Sequence, residues 1–510
     1  MHRRRHGHRH RGARAGITLR QLADSAAEAR PLRWGVPLSP DQASPESQGL
    51  PSGAVLAWLD ALAADGLELH GFTLLRSGRV LAGGHWFPYG PERVHHLYSL
   101  SKAFAAAGVG LLIHEGRLRL DDRVVDFFPD ALPEVVGGHL RAMRVEDLLT
   151  MRTGHAADTT DVLYAAGEED WVRAVLAQPV EFTPGTHFVY NSGASFLLSA
   201  LVQRVTGGTL LDYLRPRLLD PLGIGEAAWP SNAQGVNLGG WGLHLRTGDA
   251  ARFGQLLLNR GVWQGRQVLA PAWVDAMSGA HVPPGTNPGD ERSDWAQGYG
   301  YQLWRCRHGA YRADGAFGQF CVVMPGQDMV LAVTAGVGDM GRVLDHTWTH
   351  LLGAAQPSPL PPGADTEGLR VRCAGLTLDV PEILDPSPLR DVQAHFTFDP
   401  NDEGWEAATL TVTGEHGTLV LDGPTPNTVR FTLNAWEEQT LDTWGTTVAL
   451  TVRAGWQADG TLALTLLLIE DGARWEVRWP APDAPLTVGL CAPHYGEGHT
   501  LSARASTLNA

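Results

Sequence analysis

Up to about residue 355, the hydrophobic positions predict strands near both ends of the region and helices between them. Residues 55–64 have helical spacing, and residues 71–86 alternate like two strands joined at Ser77-Gly78, a typical hairpin turn. Residues 99–114 then form a helix with small or apolar side chains on most sides, which indicates that this helix is buried.

The pattern stays mainly helical from about residue 116 to residue 259, and strand-like alternation then returns. The later strands are predicted at residues 298–307, 319–326 and 329–336, and a last helix ends at Gly353. Strands on both sides of a helical region favour an α+β fold. We expect one antiparallel sheet built from both ends of the region, with flanking helices and a helical subdomain.

A proline-rich segment separates this region from a stretch in which the hydrophobic period is two. Short alternating strands between turn residues predict an all-β C-terminal domain, either a barrel or a sandwich. We therefore divide the chain into a disordered basic tail at 1–30, an α+β domain at 31–355, a linker at 356–366 and an antiparallel β domain of unknown role at 367–510.

The charge of the chain restricts its partners. With 510 residues and a formal net charge of −15, the chain is not expected to bind nucleic acid, because phosphate binding needs a basic surface. No apolar run has the length of a membrane-spanning helix, so no membrane partner is expected either.

The N-terminal tail is an exception to the acidic character of the chain. Its first fourteen residues hold six arginines and four histidines with no apolar block after them, unlike a secretory signal. Metal or nucleic-acid binding by the tail, or a misassigned start codon, are the alternatives to plain disorder.

The four cysteines, at positions 306, 321, 373 and 491, have neither CxxC nor zinc-type spacing. We expect reduced, partly buried thiols in a cytoplasmic protein, with a disulfide between Cys306 and Cys321 left open if their strands are neighbours. No metal ion or organic cofactor is predicted, and the sequence does not indicate an oligomeric state.

Lys102 is the only lysine among 40 basic residues, so the other 39 (40 − 1) are arginines. It follows Ser99 by three residues, which places both side chains on one face of a helix. A serine hydroxyl becomes a nucleophile when a base takes its proton; a desolvated lysine can be that base, whereas an arginine stays charged. The alternative is an ordinary surface lysine, although burying an unpaired lysine in this apolar helix would be costly.

Tyr190 is a candidate partner, because it lies in a loop just before an apolar helix. A nearby ammonium group lowers the pKa of a tyrosine, which could then act as a general base. Taken alone, Tyr190 is explained better as a buried core tyrosine.

The order of the motifs resembles that of the serine beta-lactamase and penicillin-binding-protein superfamily, in its class C-like branch of hydrolases and esterases. The resemblance covers about residues 50–352 and rests on the segments LYSLSKAF, RVEDLLTMRTGH, YNSGASFLL and GGWGLHLRTGDAARFGQLLLNRG.

The resemblance implies that Ser99 is the acylated nucleophile and that Lys102 and Tyr190 share the proton transfers as a coupled pair. It implies an oxyanion hole made by the backbone N–H groups of Ser99 and of a late-strand residue, which we place at Ala316. Ser192 stands where the family usually has asparagine and would hydrogen-bond near Lys102 or the substrate.

The late strand departs from the family's pattern. Ala313-Asp314-Gly315 occupies the place of Lys-Thr-Gly or His-x-Gly, so the cation that often helps to hold a substrate carboxylate is missing. Strand alternation would direct Arg312 to the other face from Ala313, where it would not replace that cation. The departure favours a neutral ester or small amide over penicillins and peptidoglycan peptides.

Gly315, Trp241 and His155 are further candidates for substrate contact. Core packing explains Trp241 and Tyr299 equally well, and a structural role is the simpler interpretation of His155. The prediction is a serine hydrolase that acts through an acyl-enzyme on a small-molecule ester or amide. The alternatives are a catalytically weak, penicillin-binding-like sensor or binding protein, or an enzyme whose β domain binds carbohydrate or a protein partner.

Overall fold

The computed structural model describes residues 43–167, 169–287, 292–443, 446–480, 484–491 and 499–506. The basic tail predicted at 1–30 lies outside these residues. The described residues form a six-stranded antiparallel sheet with helices, followed by a ten-stranded antiparallel sheet. This arrangement confirms the predicted α+β fold with a C-terminal all-β domain.

The first sheet joins the two ends of the α+β region. Its strands and the short strands nearby are β1 (Leu69–Arg76), β2 (Arg79–His85), β3 (His95–His96), β4 (His244–Leu245), β5 (Val262–Trp263), β6 (Arg266–Gln267), β7 (Trp304–Arg305), β8 (Tyr311–Gly315), β9 (Gln319–Met324) and β10 (Met329–Ala335). The order in the sheet is β2-β1-β10-β9-β8-β7, so the first strand pairs with the last. The hairpin turns at Ser77 and Gly78, whose φ values of 52° and 73° are left-handed.

The described residues contain thirteen α-helices, some of which cover the two faces of this sheet. They are α1 (Ser52–Ala64), α2 (Ser101–His114), α3 (Val124–Phe127), α4 (Gly138–Ala142), α5 (Val145–Leu149), α6 (Thr160–Ala166), α7 (Trp171–Leu176), α8 (Ser192–Thr206), α9 (Leu210–Leu214), α10 (Thr247–Leu258), α11 (Pro271–Ser278), α12 (Met340–His346) and α13 (Asp365–Ala374). On one face α10 packs on β1, β9 and β10, and α2 packs against α8. On the other face α1 packs against α12 and α13.

Strand alternation divides the core of the α+β domain into two parts. Along β9, Phe320 and Val322 face the core under α1, whereas Cys321 and Val323 face the core that contains α2 and α10. The second core holds α2, which is buried from Ser101 to Leu112. The buried helix α2 therefore provides a rigid base for the residues at its N-terminal end.

The C-terminal sheet is a nearly closed barrel, which decides between the barrel and the sandwich. Its strands are β11 (Val392–Phe398), β12 (Ala407–Thr413), β13 (His416–Asp422), β14 (Asn427–Thr432), β15 (Trp436–Thr443), β16 (Thr446–Trp456), β17 (Leu462–Leu468), β18 (Ala473–Trp479), β19 (Leu486–Cys491) and β20 (His499–Ser506). The sheet runs from β14 through β11 and β20 to β15. Its two end strands are linked by side chains, since Asn427 Oδ1 accepts from Asp442 N at 3.1 Å and Gln439 bonds the backbone of Arg430.

The domain boundary at 356–366 stays a prediction. The helix that begins inside this segment, α13, packs against α1 and β2, and its Leu369 belongs to the core under α1. The segment before the barrel thus makes contact with the α+β domain until at least Thr377, which pairs with Phe87.

One detail of the sequence prediction changes, and one alternative that it left open is decided. The helix predicted from Ser99 begins at Ser101, because Ser99 lies in a 3-10 turn before it. Cys306 and Cys321 are free, buried thiols, as expected; Cys306 directly follows β7, Cys321 lies on β9, and β8 separates these two strands. Within the described ranges, no single helix could cross a membrane; only the bent pair 192–206 and 210–219 has the length and apolar composition to do so.

We predict that Gly110→Ala destabilises the α+β domain. A Cβ at Gly110 in α2 would lie 2.1 Å from Trp273 Nε1, an indole nitrogen that already donates to Ala106 O. Shifting this buried ring should cost about 1–3 kcal/mol, measured as a lower urea midpoint of the first unfolding transition. The control is Gly138→Ala in α4, where a Cβ meets nothing within 4 Å. Equal midpoints for the two variants would contradict the packing described here.

Candidate active site

Ser99 lies in the 3-10 turn Tyr98–Leu100, directly before α2. The turn is held by two hydrogen bonds: Leu97 N donates to Leu243 O at 2.8 Å, and Ser101 Oγ donates to Tyr98 O at 2.6 Å. Tyr98 has a left-handed φ of 47°, an uncommon conformation for a non-glycine residue. The turn leaves Ser99 half-buried, with the N-terminus of the buried helix α2 directly after it.

Lys102 is the buried base of the site. Its Nζ lies 2.9 Å from Ser99 Oγ, 3.1 Å from Ser192 Oγ and 2.7 Å from Gly240 O. Because burial disfavours the charged form, the pKa of Lys102 falls from 10.5 to about 7. A neutral amine has two protons to donate, to Ser192 and Gly240, and one lone pair that can accept the Ser99 proton. The geometry therefore allows proton transfer from Ser99 to Lys102 without movement of the heavy atoms.

Two carboxylates oppose the effect of burial on Lys102. Asp158 and Asp314 both raise the pKa of the amine, although burial dominates. Asp158 is exposed, and its Oδ1 accepts from Ser192 N at 2.9 Å. The charge of the amine is therefore set by burial, which lowers its pKa, and by two carboxylates, which raise it: Asp158 is exposed and Asp314 is buried.

Tyr190 lies beside the amine but is not a pre-formed phenolate. Its ring stacks on Trp304 with centroids 5.4 Å apart, and Lys102 Nζ lies 4.9 Å from its ring centroid. Burial raises the pKa of Tyr190, Asp314 raises it further, and a hydrogen bond to Ser99 only partly opposes them. The expectation that a lysine cation lowers the pKa of Tyr190 is therefore wrong. Lys102 is itself desolvated, and the nearby carboxylates act in the other direction.

Ser192 is brought to the amine by the start of α8. Asn191 caps this helix, and its Oδ1 accepts from Ala194 N at 3.4 Å and from Thr159 Oγ1 at 2.8 Å. The cap ties α8 to the loop that carries Asp158. Ser192 thus bridges the helix and Lys102, as its place in the sequence motif suggested.

The end of β8 closes on the Ser99 turn. A Cβ at Gly315 would lie 2.1 Å from Leu97 O, so glycine is required for this close approach. Ala316 follows in the 3-10 turn Ala316–Gly318, and the next ring, Phe317, packs edge-on against Tyr98 with centroids 5.1 Å apart. The predicted oxyanion residues Ser99 and Ala316 are thus on neighbouring turns, and Gly315 serves their packing.

No free cation stands on the late strand. Arg312 is fully buried; its Nε donates to Asp314 Oδ2 at 2.9 Å, and its guanidinium lies 4.4 Å from the Trp295 ring centroid. Alternation along β8 places Arg312 and Asp314 on one face, as the sequence pattern indicated. The Arg312 charge is therefore used inside the protein and is not presented to a ligand.

The two remaining candidates have different positions. Trp241 is half-buried next to Gly240, and its ring packs against Tyr164 and Trp171, with centroids 5.7 Å and 6.3 Å away. His155 is buried and hydrogen-bonds Thr153 Oγ1 at 2.8 Å; burial lowers its pKa to about 4. In the parts of the chain that the structure describes, no hydrogen bond joins His155 to Ser99, Lys102 or Tyr190.

Sequence reasoning missed the electrostatic role of Asp158 and Asp314. Asp314 was noticed only as the middle residue of the altered late-strand motif, and Asp158 was not noticed, although it follows His155 by three residues. Their influence on Lys102 depends on how the loop before α6 and the strand β8 meet, which no local pattern reveals.

One group of side chains near the site has the composition of a metal site. Atoms of His96, His244 and Asp471 lie within 4.8 Å of one another. However, His96 Nε2 accepts from Gly242 N at 3.1 Å, so the neutral ring carries its proton on Nδ1, the atom that faces Asp471. The rings of His96 and His244 are also stacked, with planes 13° apart, and a metal cannot lie in both planes. Both histidines hydrogen-bond the backbone of Gly242, and this geometry does not favour a metal site.

Comparisons with known proteins give a family and several relatives. The family model described as Beta-lactamase matches residues 59–354. A 6-aminohexanoate-dimer hydrolase of Paenarthrobacter ureafaciens is 26% identical over 357 residues, which cover 64% of this chain and 90% of that protein. A lovastatin esterase of Penicillium rubens is 28% identical over 171 residues, 29% of this chain and only 43% of the esterase. The structure of an octameric penicillin-binding-protein homologue from Pyrococcus abyssi covers 89% of this chain and 99% of that one, with 15% identity and a TM-score of 0.47.

We predict that the reactivity of Ser99 rises as the pH passes through about 7, because only the neutral Lys102 can accept its proton. The measurement is the rate of labelling by a fluorophosphonate between pH 5.5 and 9. Asp158→Asn removes a carboxylate that raises the pKa of Lys102, so its midpoint should lie at lower pH. Asp161→Asn, an exposed change on α6, is the control and should leave the midpoint in place. A rate independent of pH, or an upward shift in Asp158→Asn, would contradict the assignment.

Proposed function

Because the chain belongs to the beta-lactamase family, we propose that it is a serine hydrolase that cleaves esters or small amides through an acyl-enzyme on Ser99. The observation that carries the proposal is the 2.9 Å contact between Ser99 Oγ and the buried amine of Lys102, whose pKa is about 7. A lysine in this state is a base at neutral pH, and it is adjacent to the hydroxyl that it must activate.

Acylation begins when neutral Lys102 takes the proton of Ser99 as Oγ attacks the substrate carbonyl carbon. The carbonyl oxygen becomes an oxyanion, and the backbone N–H groups of Ser99 and Ala316 stabilise it. The bond from the carbonyl carbon to the leaving oxygen or nitrogen then breaks, the leaving group gains a proton, and the Lys102 ammonium loses one. The acyl group remains on Ser99, and Lys102 is neutral again.

Tyr190 acts in this scheme as a neutral hydroxyl. Its raised pKa excludes a phenolate at neutral pH, and its hydrogen bond to Ser99 places it beside the leaving group. Tyr190 therefore donates its own hydroxyl proton to the leaving atom and receives a proton from Lys102 in the same step. In deacylation, water attacks the acyl carbon, its proton moves to Lys102, and Ser99 recovers a proton as the acid leaves.

The charged groups around Lys102 favour substrates without a carboxylate near the reacting bond. Asp158 is exposed beside the amine, Asp314 lies behind it, and the late-strand cation Arg312 is buried and paired. A substrate carboxylate would meet the negative charge of Asp158, and the late-strand cation Arg312 could not pair with it, because its guanidinium is buried against Asp314. The names of two relatives, a 6-aminohexanoate-dimer hydrolase and a lovastatin esterase, support a small amide or ester as the substrate class.

The direct test is Ser99→Ala. Intact-mass analysis after fluorophosphonate treatment should find one adduct on the wild type and none on the variant, and hydrolysis of p-nitrophenyl butyrate should fall at least about 10³-fold. The control is Ser199→Ala, which removes a buried serine hydroxyl on α8. This variant should be labelled and should hydrolyse the ester at the wild-type rate. No adduct on the folded wild type would overturn the proposal, and an adduct without turnover would favour the sensor or binding-protein alternative.

We also predict discrimination against anionic esters. The neutral p-nitrophenyl butyrate should have a kcat/KM at least about tenfold higher than the mono-p-nitrophenyl ester of succinate, because like charges at short range repel by roughly 1–4 kcal/mol near a protein surface. Asp158→Asn should narrow the ratio, and 0.5 M salt should narrow it too, since Asp158 is exposed. Equal or better hydrolysis of the succinate ester would contradict the account of substrate charge.

A further inference from the structure

A turn of the β domain touches the segment that carries the nucleophile. Residues 469–472, which we term the docking turn, connect β17 to β18 and lie against β3 and the Ser99 turn. His96 N donates to Glu470 O at 2.7 Å, and Tyr98 Oη donates to Asp471 O at 2.9 Å. Contacts across some 370 residues of sequence thus reach the residue directly before Ser99.

Tyr98 is fixed on every side. Its ring stacks on His96 with centroids 3.9 Å apart and meets Phe317 edge-on, its hydroxyl bonds the docking turn, and its carbonyl accepts from Ser101. Its left-handed φ of 47° needs such support, because this conformation is strained for a bulky side chain. Tyr98 therefore connects the docking turn to both turns of the proposed oxyanion hole.

The docking turn is also held by contacts with little free space. A Cβ at Gly472 would lie 2.9 Å from His70 Cε1 and 3.3 Å from His95 Nε2, and Gly472 has a left-handed φ of 72°. Beyond the turn, Arg474 on β18 forms a 3.0 Å ion pair with Glu68. The β domain therefore contacts the α+β domain on both sides of Asp471 along the sequence, through Glu470 before it and Arg474 after it.

The same turn faces the segment that accepts the lysine's hydrogen bond. Asp471 Oδ1 lies 3.5 Å from His96 Nδ1, and the other nitrogen of His96 accepts from Gly242 N. His244 Nδ1 donates to Gly242 O at 2.9 Å. Gly242 is two residues from Gly240, whose carbonyl accepts the hydrogen bond of Lys102. The hydrogen bonds of His96 and His244 to Gly242 therefore hold the backbone next to that carbonyl.

We propose that the docking turn of the β domain positions the nucleophile, with Tyr98 as the positioning residue that connects this turn to Ser99 and Ala316. The β domain is then a necessary part of the active enzyme. The kinetic form of this inference rests on the proposed function. A displacement of 1 Å in such a site can lower the rate by about 100-fold, so loss of one anchoring bond should be visible in kcat.

The test compares two matched pairs of variants in the full-length protein. Tyr98→Phe removes only the hydroxyl that bonds Asp471 O; its control, Tyr89→Phe, removes a buried hydroxyl that has no hydrogen-bond partner among the described residues and lies over His70. Gly472→Ala adds a methyl group that collides with the His70 ring and displaces the docking turn. Its control, Gly460→Ala, changes another left-handed glycine, φ 87°, in a barrel turn whose nearest neighbour is 3.9 Å away.

We expect Tyr98→Phe and Gly472→Ala to lower kcat for p-nitrophenyl butyrate about tenfold or more, with KM changed less than twofold. Hydrogen–deuterium exchange should be faster at the amides of residues 97–104 in these two variants, and both controls should match the wild type. A purely structural role would lower melting temperatures in both pairs but leave kcat per titrated active site unchanged.

Equal kcat and equal exchange in Tyr98→Phe and Tyr89→Phe would overturn the inference, and this pair decides the matter if Gly472→Ala does not fold. If the wild type neither labels nor hydrolyses the ester, the proposed function fails and the exchange measurement decides alone. Faster exchange at residues 97–104 in the test variants only would then support positioning by the docking turn, and equal exchange in all four variants would refute it.

Discussion

The site depends on the burial of one amine. Lys102 is 1% exposed, on a helix whose neighbouring side chains are mostly small or apolar, and its amine hydrogen-bonds two hydroxyls and a carbonyl. None of these contacts carries a charge, so desolvation dominates and the amine becomes a base near neutral pH. The features around it, from the cap of α8 to the glycine segment at 240–242, serve to deliver those uncharged acceptors to one point.

The arrangement also explains why the carboxylates do not simply pair with the lysine. Asp314 is engaged by Arg312 and Asp158 by the backbone N–H of Ser192, so neither makes a direct hydrogen bond to Lys102. A direct ion pair would stabilise the ammonium and remove the base. The two carboxylates therefore raise the pKa of Lys102 from a distance while burial keeps it about 7.

Much of the fold was predictable from local pattern. The hairpin at Ser77-Gly78 and the alternating strands of the β domain follow from periods and turn residues that act within a few positions. The Ser99 and Lys102 spacing likewise needs only helical geometry. The direction of the Tyr190 pKa was wrong, because burial and the nearby Asp314 outweigh a cation that is itself desolvated. The docking turn could not be foreseen, since Tyr98 and Asp471 are joined only by the folded arrangement of two domains.

The β domain contributes directly to the proposed active site, because its docking turn contacts the segment that carries Ser99. Helix α2 provides the base for Ser99, while the docking turn holds the residue before it. Such an arrangement couples the order of the nucleophile to the seating of the barrel. The coupling is physical, through a short series of hydrogen bonds and stacked rings, and requires no movement of either domain.

The pKa of Lys102 determines whether its amine can activate Ser99, and the sequence makes this pKa directly measurable. Because the chain has a single lysine, protein labelled with ¹³C-lysine gives one side-chain Cε resonance, and its chemical shift can be followed against pH. We expect a titration midpoint of about pH 7. A midpoint near the ordinary lysine value of 10.5 would mean that the amine is charged at neutral pH, and Lys102 would then not be the base that activates Ser99.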